Sequence, residues 1–205
     1  NGFYWKIALS PEDPELIEIR RGESGIRAWA AEPGEYYHSF DGSYGGLWRR
    51  NGRPPQLLAG VGFSAQGKFE GSYYRRTAES RAPDLAWMFE GIEDQEILGD
   101  FGFSGGGAAG FELDRADVRL GTPEEVRVVA SSENHTSSFV LVPEEMLTHI
   151  TNWPGEEEQQ KLIRSDIVYF RTPSGGEVFS TGSITFCGSL PWNDFDNNIS
   201  RLLEN

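Results

Sequence analysis

Cysteine is nearly absent: Cys187 is the single one among 205 residues. One thiol can build neither a disulfide framework nor a cysteine-based zinc site. It sits in the apolar run Ser183-Ile184-Thr185-Phe186-Cys187, where a buried and inert strand side chain is expected. Long apolar stretches are missing as well, and none approaches the roughly 20 residues that span a bilayer. No basic-plus-apolar leader is legible, so a cytoplasmic location is expected and the sequons at Asn134 and Asn198 are read as chance. Basic residues are scarce, with 18 Lys and Arg against 32 Asp and Glu and a net charge of −14. That balance excludes a nucleic-acid backbone or an anionic membrane surface as partner, because both repel an acidic protein. The excess lies in residues 81–205, with 22 acidic against 8 basic side chains, while residues 1–80 carry 10 of each. It reads as a solvated surface. His38, His135 and His149 are too scattered for an H-x-x-x-H or H-E-x-x-H site, and Glu156–Glu158 lacks calcium-loop spacing. No metal site is expected within the chain.

Glycine and aromatics, by contrast, are plentiful. Twenty-five glycines and eleven prolines imply many turns, and 13% aromatic residues supply a core for a chain of this length. Strand-like runs are read at Phe3–Leu9, Leu16–Arg20, Ile26–Ala30, Leu58–Phe63, Leu85–Phe89, Ile97–Phe103, Phe111–Arg115, Val126–Ala130, Ser138–Val142, Ile167–Arg171 and Glu177–Phe186. Helices are fewer. Pro143–Ile150 and Glu156–Ile163 have helix-start chemistry, and Phe195, Ile199, Leu202 and Leu203 recur at helical spacing within Asp194–Leu203. The expected class is α+β, mostly β, as one unit over residues 1–205. Asn1-Gly2 reads as a turn leading straight into a strand, and the chain is therefore expected to be a piece of a longer one.

Two well-known patterns overlap at the glycine run. Gly105–Gly110 satisfies G-x-G-x-x-G, and Gly102-Phe103-Ser104-Gly105-Gly106 satisfies G-x-S-x-G. The dinucleotide reading and the nucleophile-elbow reading both require a helix directly after the turn. Phe111-Glu112-Leu113-Asp114-Arg115 looks like a strand, so neither is favoured. Glu112, set between Phe111 and Leu113, is a candidate general acid/base if desolvated; plain strand alternation would instead point it to water. Glu133 and His135 fall between two strand candidates, where functional groups or a simple surface turn are both expected. Tyr36-Tyr37-His38 and Tyr73-Tyr74-Arg75-Arg76 bring phenols and cations together in predicted loops. Such rims serve small-molecule pockets and sugar-binding surfaces alike.

Read in order, several segments resemble one family. They are Asn1–Trp5, Tyr36–Phe40, Gly45–Arg49, Glu90–Ile92, Gly105–Leu113, Ala130–Glu133, Phe179–Ile184 and Asp196–Arg201. The series is similar, end to end, to the C-terminal region of N,N-dimethylformamidase large subunits. The resemblance implies a parent hydrolase with one iron held by two tyrosines and a glutamate, acting on small amides. The family's His-Pro-Glu-Tyr-Trp motif is absent here, so the resemblance places the iron ligands upstream and none in this chain. It implies that Asn1 orients the substrate amide and that Glu112 shuttles a proton to the leaving amine. Tyr37, His38, Glu133 and His135 are then candidates for the substrate pocket. The implied parent fold is a glutamine-amidotransferase-like α/β domain with a β-rich insertion. The implied partners are a small amide, the rest of the large subunit, further copies of it in a homo-oligomer, and a small subunit. The alternative is a non-catalytic β-rich binding or assembly module, carbohydrate-binding among the options.

Overall fold

The computed structural model describes residues 4–9, 13, 15, 17–21, 49, 52–142 and 154–205. Strands β1 (Tyr4–Leu9) and β2 (Ile17–Arg21) pair antiparallel with each other. The main sheet is organised by β3 (Gly62–Arg76), joined by β4 (Ala109–Arg115), β5 (Arg127–Glu133), β6 (Val140–Leu141), β7 (Asp166–Arg171) and β8 (Glu177–Ser180). Its order is β4-β3-β5-β7-β8, with β6 also on β3, and every described pairing is antiparallel. Among the described residues four short α-helices accompany it: α1 (Pro55–Ala59), α2 (Glu156–Leu162), α3 (Phe186–Ser189) and α4 (Asn198–Glu204). The mostly-β α+β class holds for the described residues. No described helix is long and apolar enough to cross a membrane.

β3 is one strand serving two cores. Its first half packs Ala65 with Leu113, Phe139, Leu141 and Leu162. Its second half places Tyr74 in the larger cluster with Leu85, Met88, Leu98, Val129, Ile167, Phe186, Ile199 and Leu202. Between the halves the register jumps. Gln66 faces Glu112 but Gly71 faces Gly110, so Gly67–Glu70 bulge out opposite the single residue Phe111. A bulge sharpens the local twist and re-aims the side chains beside it. At the start of β7, the buried Asp166 carboxylate joins three segments. It accepts from Ala116 N–H at 2.9 Å, Ser131 Oγ at 2.6 Å and Arg164 Nε at 3.0 Å. A buried charge persists only when so paired.

Several expected elements differ, each for a visible reason. Leu85–Phe89 is a 3-10 helix (Pro83–Phe89) that buries Leu85, Met88 and Phe89; the i, i+3, i+4 spacing won over the apolar run. Ile97–Phe103 is not a strand. Only Leu98 bridges, to Tyr74, and Gly99 and Gly102 turn the chain at φ 71° and 153°. Leu58 lies in α1, and Gly60 ends that helix in a left-handed conformation before β3 begins. Tyr73–Arg76 form the end of β3 rather than a loop. β8 stops at Ser180, because Gly182 at φ 68° turns the chain into the segment that leads to α3. Cys187 lies in α3 and is exposed, not buried. The final helix is broken: Trp192–Phe195 is a 3-10 turn with Asn193, Asp194 and Phe195 at positive φ, and α4 starts after the Asn197 cap. The expected elements Ile26–Ala30 and Pro143–Ile150 lie outside the described residues.

Candidate functional site

The glycine run is packed against backbone. Gly71 N–H donates to Gly105 O at 2.7 Å. A Cβ built on Gly107 falls 2.3 Å from Ser72 O, and one on Gly110 falls 2.3 Å from Glu70 O. β3 and the run touch main chain to main chain, and a side chain has no space there. The run leads into β4, not into a helix. The geometry that cradles a pyrophosphate, and the geometry that raises a serine nucleophile, are both absent at this turn. Gly107→Ala should therefore destabilise the protein by about 1–3 kcal/mol through overpacking. Chemical denaturation measures this, and an unchanged midpoint means that β3 and the run separate freely.

Directly after the run the backbone takes a conformation rare for a bulky residue. Phe111 has φ 59°, in the left-handed region, which costs an L-residue roughly 1–2 kcal/mol. Its ring meets Phe69 of the bulge edge-on, centroids 5.7 Å apart. Glu112 comes next, half-buried, opposite the exposed Gln66, while its neighbour Leu113 is fully buried on the core face. The expected enclosure between two apolar neighbours is thus one-sided. The Glu112 side chain has no hydrogen bond or ion pair among the described residues. Glu70, across the bulge, is occupied, accepting hydrogen bonds from Thr136 and Ser138.

Glu133 and His135 lie at the far end of β5, on the wall of a cavity of about 620 Å³ shared with Ser132, Gln159, Lys161 and Arg164. Glu133 is the last residue of β5 and pairs with Arg75 on the exposed rim. Asn134 then turns the chain at φ 62° and brings His135 back onto Phe139, ring centroids 4.7 Å apart. Ser132 Oγ accepts from Ser165 N–H at 2.7 Å and lies 2.6 Å from His135 Nε2. The hydroxyl has a second lone pair as well as its own proton, so it can pair with Nε2 in either ring tautomer. Burial pushes the His135 pKa down to about 4, with the Glu70 charge pulling weakly the other way. Nδ1 is buried without a partner. A hydrolytic Ser–His pair needs an exposed hydroxyl, a base that accepts a proton near neutrality and a group orienting that base. Ser132 is 5% exposed, His135 is a poor base and Nδ1 meets no carboxylate, so the pair locks the turn instead.

The structure thus brings Glu133 and His135 together and keeps Glu112 out of the residues that line their cavity. Asn1, Tyr37 and His38 lie outside the described residues. Among the described residues no three His, Cys, Asp or Glu side chains are placed to hold a metal ion. Sequence reasoning missed Ser183. Its Oγ accepts from Gly110 N–H at 2.8 Å and donates to Gly110 O at 2.9 Å, clamping β4 two residues before Glu112. The two residues are 73 positions apart, and only their shared membership of the family-like series connected them.

The family model described as N,N-dimethylformamidase beta subunit-like, C-terminal, matches residues 1–198. The N,N-dimethylformamidase beta subunits of an Alcaligenes species and of Paracoccus aminophilus are each 41% identical over 205 residues. That match takes in 100% of this chain and 26% of each relative, so the chain spans about a quarter of their length. The chain belongs to the N,N-dimethylformamidase beta subunit-like C-terminal family.

Proposed function

We propose that this chain forms the C-terminal part of an iron-dependent amidohydrolase that cleaves the C–N bond of small formamide-like amides. The observation that carries the reading is the 41% identity over 205 residues, the whole of this chain, with two N,N-dimethylformamidase beta subunits. In this reading the proton transfer falls to Glu112. It is a half-buried carboxylate without a structural partner among the described residues, on a strand held close against its neighbour.

Amide hydrolysis places water on the carbonyl carbon and expels nitrogen, which leaves only as a protonated amine. In the proposed reaction Glu112 gives a proton to that nitrogen as the C–N bond breaks, and the attacking water restores it. Asn1 orients the amide, and Tyr37, His38, Glu133 and His135 form the approach to it. Iron, when bound, supplies a Lewis acid. The described residues do not fit that centre. They hold no group of three His, Cys, Asp or Glu side chains placed for a metal ion. The Tyr74 phenol, moreover, is committed to Thr181 O at 2.7 Å and Ser165 Oγ at 2.9 Å, and burial drives its pKa upward, away from a phenolate ligand. The ligands belong to the remainder of the subunit, which also completes the glutamine-amidotransferase-like α/β domain. A homo-oligomer, a small subunit and a cytoplasmic location complete the proposal.

The isolated chain is accordingly expected to keep no stoichiometric iron after exhaustive dialysis, as metal analysis reads. One tightly held iron per chain would show that the ligand set lies here. The function itself is tested on the full-length, iron-loaded protein with N,N-dimethylformamide, by measuring released formate and dimethylamine. Absence of turnover on this and other small formamides overturns the reading.

A further inference from the structure

We infer that Ser183 is a positioning residue for Glu112, acting through Gly110 and the left-handed turn at Phe111; this rests on the reading of Glu112 as the proton carrier. A proton carrier works only when held within a fraction of an ångström of its target, and its supporting contacts decide that. Glu112 has no side-chain partner of its own among the described residues. Its aim is therefore set by the backbone on either side of it.

That backbone is bracketed from one place. On the N-terminal side, Gly110 gives both its peptide groups to the Ser183 hydroxyl, at 2.8 and 2.9 Å. On the C-terminal side, Leu113 bridges to Ser183, and Asp114 N–H donates to Gly182 O at 2.7 Å. Between these fixed points stands Phe111 at φ 59°. A bulky residue keeps such a conformation only when its surroundings over-determine it, and strain of this kind gathers where geometry matters for function. Released, Phe111 would relax toward negative φ and rotate Glu112 away from its present direction.

The clamp is itself anchored. Tyr74 OH donates to Thr181 O at 2.7 Å, and Thr185 and Thr181 flank the turn. Gly182 lies so close that a Cβ there would stand 2.4 Å from Asp166 O and 2.9 Å from Asp114 O. The segment 181–183 therefore cannot move without disturbing the buried Asp166. Backbone pairing alone would cover the open edge of β4. The reciprocal hydroxyl bonds, to the N–H and the carbonyl of one residue, add control over the position just before the kink.

The test uses the full-length, iron-loaded enzyme and N,N-dimethylformamide. Ser183→Ala keeps the Leu113 bridge but loses the Gly110 bonds. Its kcat should fall by roughly 10- to 10²-fold with KM changed by less than about 3-fold. Ser183→Thr, which retains the hydroxyl, should recover most of the rate. In a Glu112→Gln background, Ser183→Ala should add no further loss, since both changes act through one carboxylate. Wild-type kcat in Ser183→Ala, or an equal loss with and without Glu112, overturns the inference while leaving the Glu112 role standing. A normal rate in Glu112→Gln alone overturns both. Should Ser183→Ala fail to fold, Phe111→Gly gives the same reading. Glycine takes φ 59° without holding it, so kcat should fall, and a wild-type rate overturns the inference.

Discussion

Glu112→Gln in the full-length enzyme is expected to lower kcat on a small formamide by about 10²–10⁴-fold, the usual contribution of a positioned acid/base. Gln preserves the shape of the side chain and removes its proton. Folding should hardly notice. Glu112 is half-buried, opposite the exposed Gln66, and no described residue depends on its charge for a hydrogen bond or an ion pair. Substitutions away from such features usually stay within about 0.5 kcal/mol. A steady-state rate and a melting curve on the same preparation separate the two effects. Near-normal turnover returns Glu112 to a solvent-facing strand position. A large fall in melting temperature would mean that the carboxylate supports the fold after all.

Leu202→Ala carries the largest expected stability effect. Leu202 is 3% exposed in the larger core, in the same cluster as Leu85, Met88 and Ile199. Emptying such a site typically costs roughly 2–5 kcal/mol, a large share of a domain's margin. Arg201, one residue earlier, is half-exposed and stands 3.9 Å from Asp196. Exposed ion pairs of that kind contribute about 0–1 kcal/mol, so Arg201→Ala should stay nearly neutral. α4 is only seven residues long and has little helical stability of its own. Polar side chains join the apolar ones in docking it. Asn197 caps it through Ser200 N–H at 2.9 Å, and Asn198 reaches Glu96 at 2.7 Å and Ile97 O at 2.9 Å. Chemical denaturation of both variants reads the contrast. Equal and small shifts would mean that α4 is a frayed tail.

Elements with a local cause are the ones that read well from sequence. β7 appears as the run Ile167–Arg171 and is buried from Asp166 to Phe170. α2 follows from its acidic first turn, which suits the helix dipole. Ile199 and Leu202 are buried as their spacing predicts, whereas Phe195 and Leu203 of the same stripe are 60% and 53% exposed. The stripe assumed an unbroken helix. Three successive left-handed residues at 193–195 break it, and helical periodicity carries no information about such a turn. Leu85–Phe89 went astray because a short apolar run is equally compatible with a strand and a buried helical turn.

The site divides along the same line. The residues in order, matched over the whole chain, determine the family and mark Glu112, Glu133 and His135 as worth inspecting. They also disfavour the glycine run as a nucleotide or nucleophile turn, and the strand that follows it in the structure agrees. Tertiary structure alone decided that burial keeps His135 neutral and that a bulge in β3 faces a strained Phe111. It alone joined Ser183 to Gly110. Propensity and periodicity are set by neighbours within a few positions along the chain. Backbone strain and a hydrogen bond across 73 residues are set by what the folded sheet brings against a strand, and no local pattern encodes that.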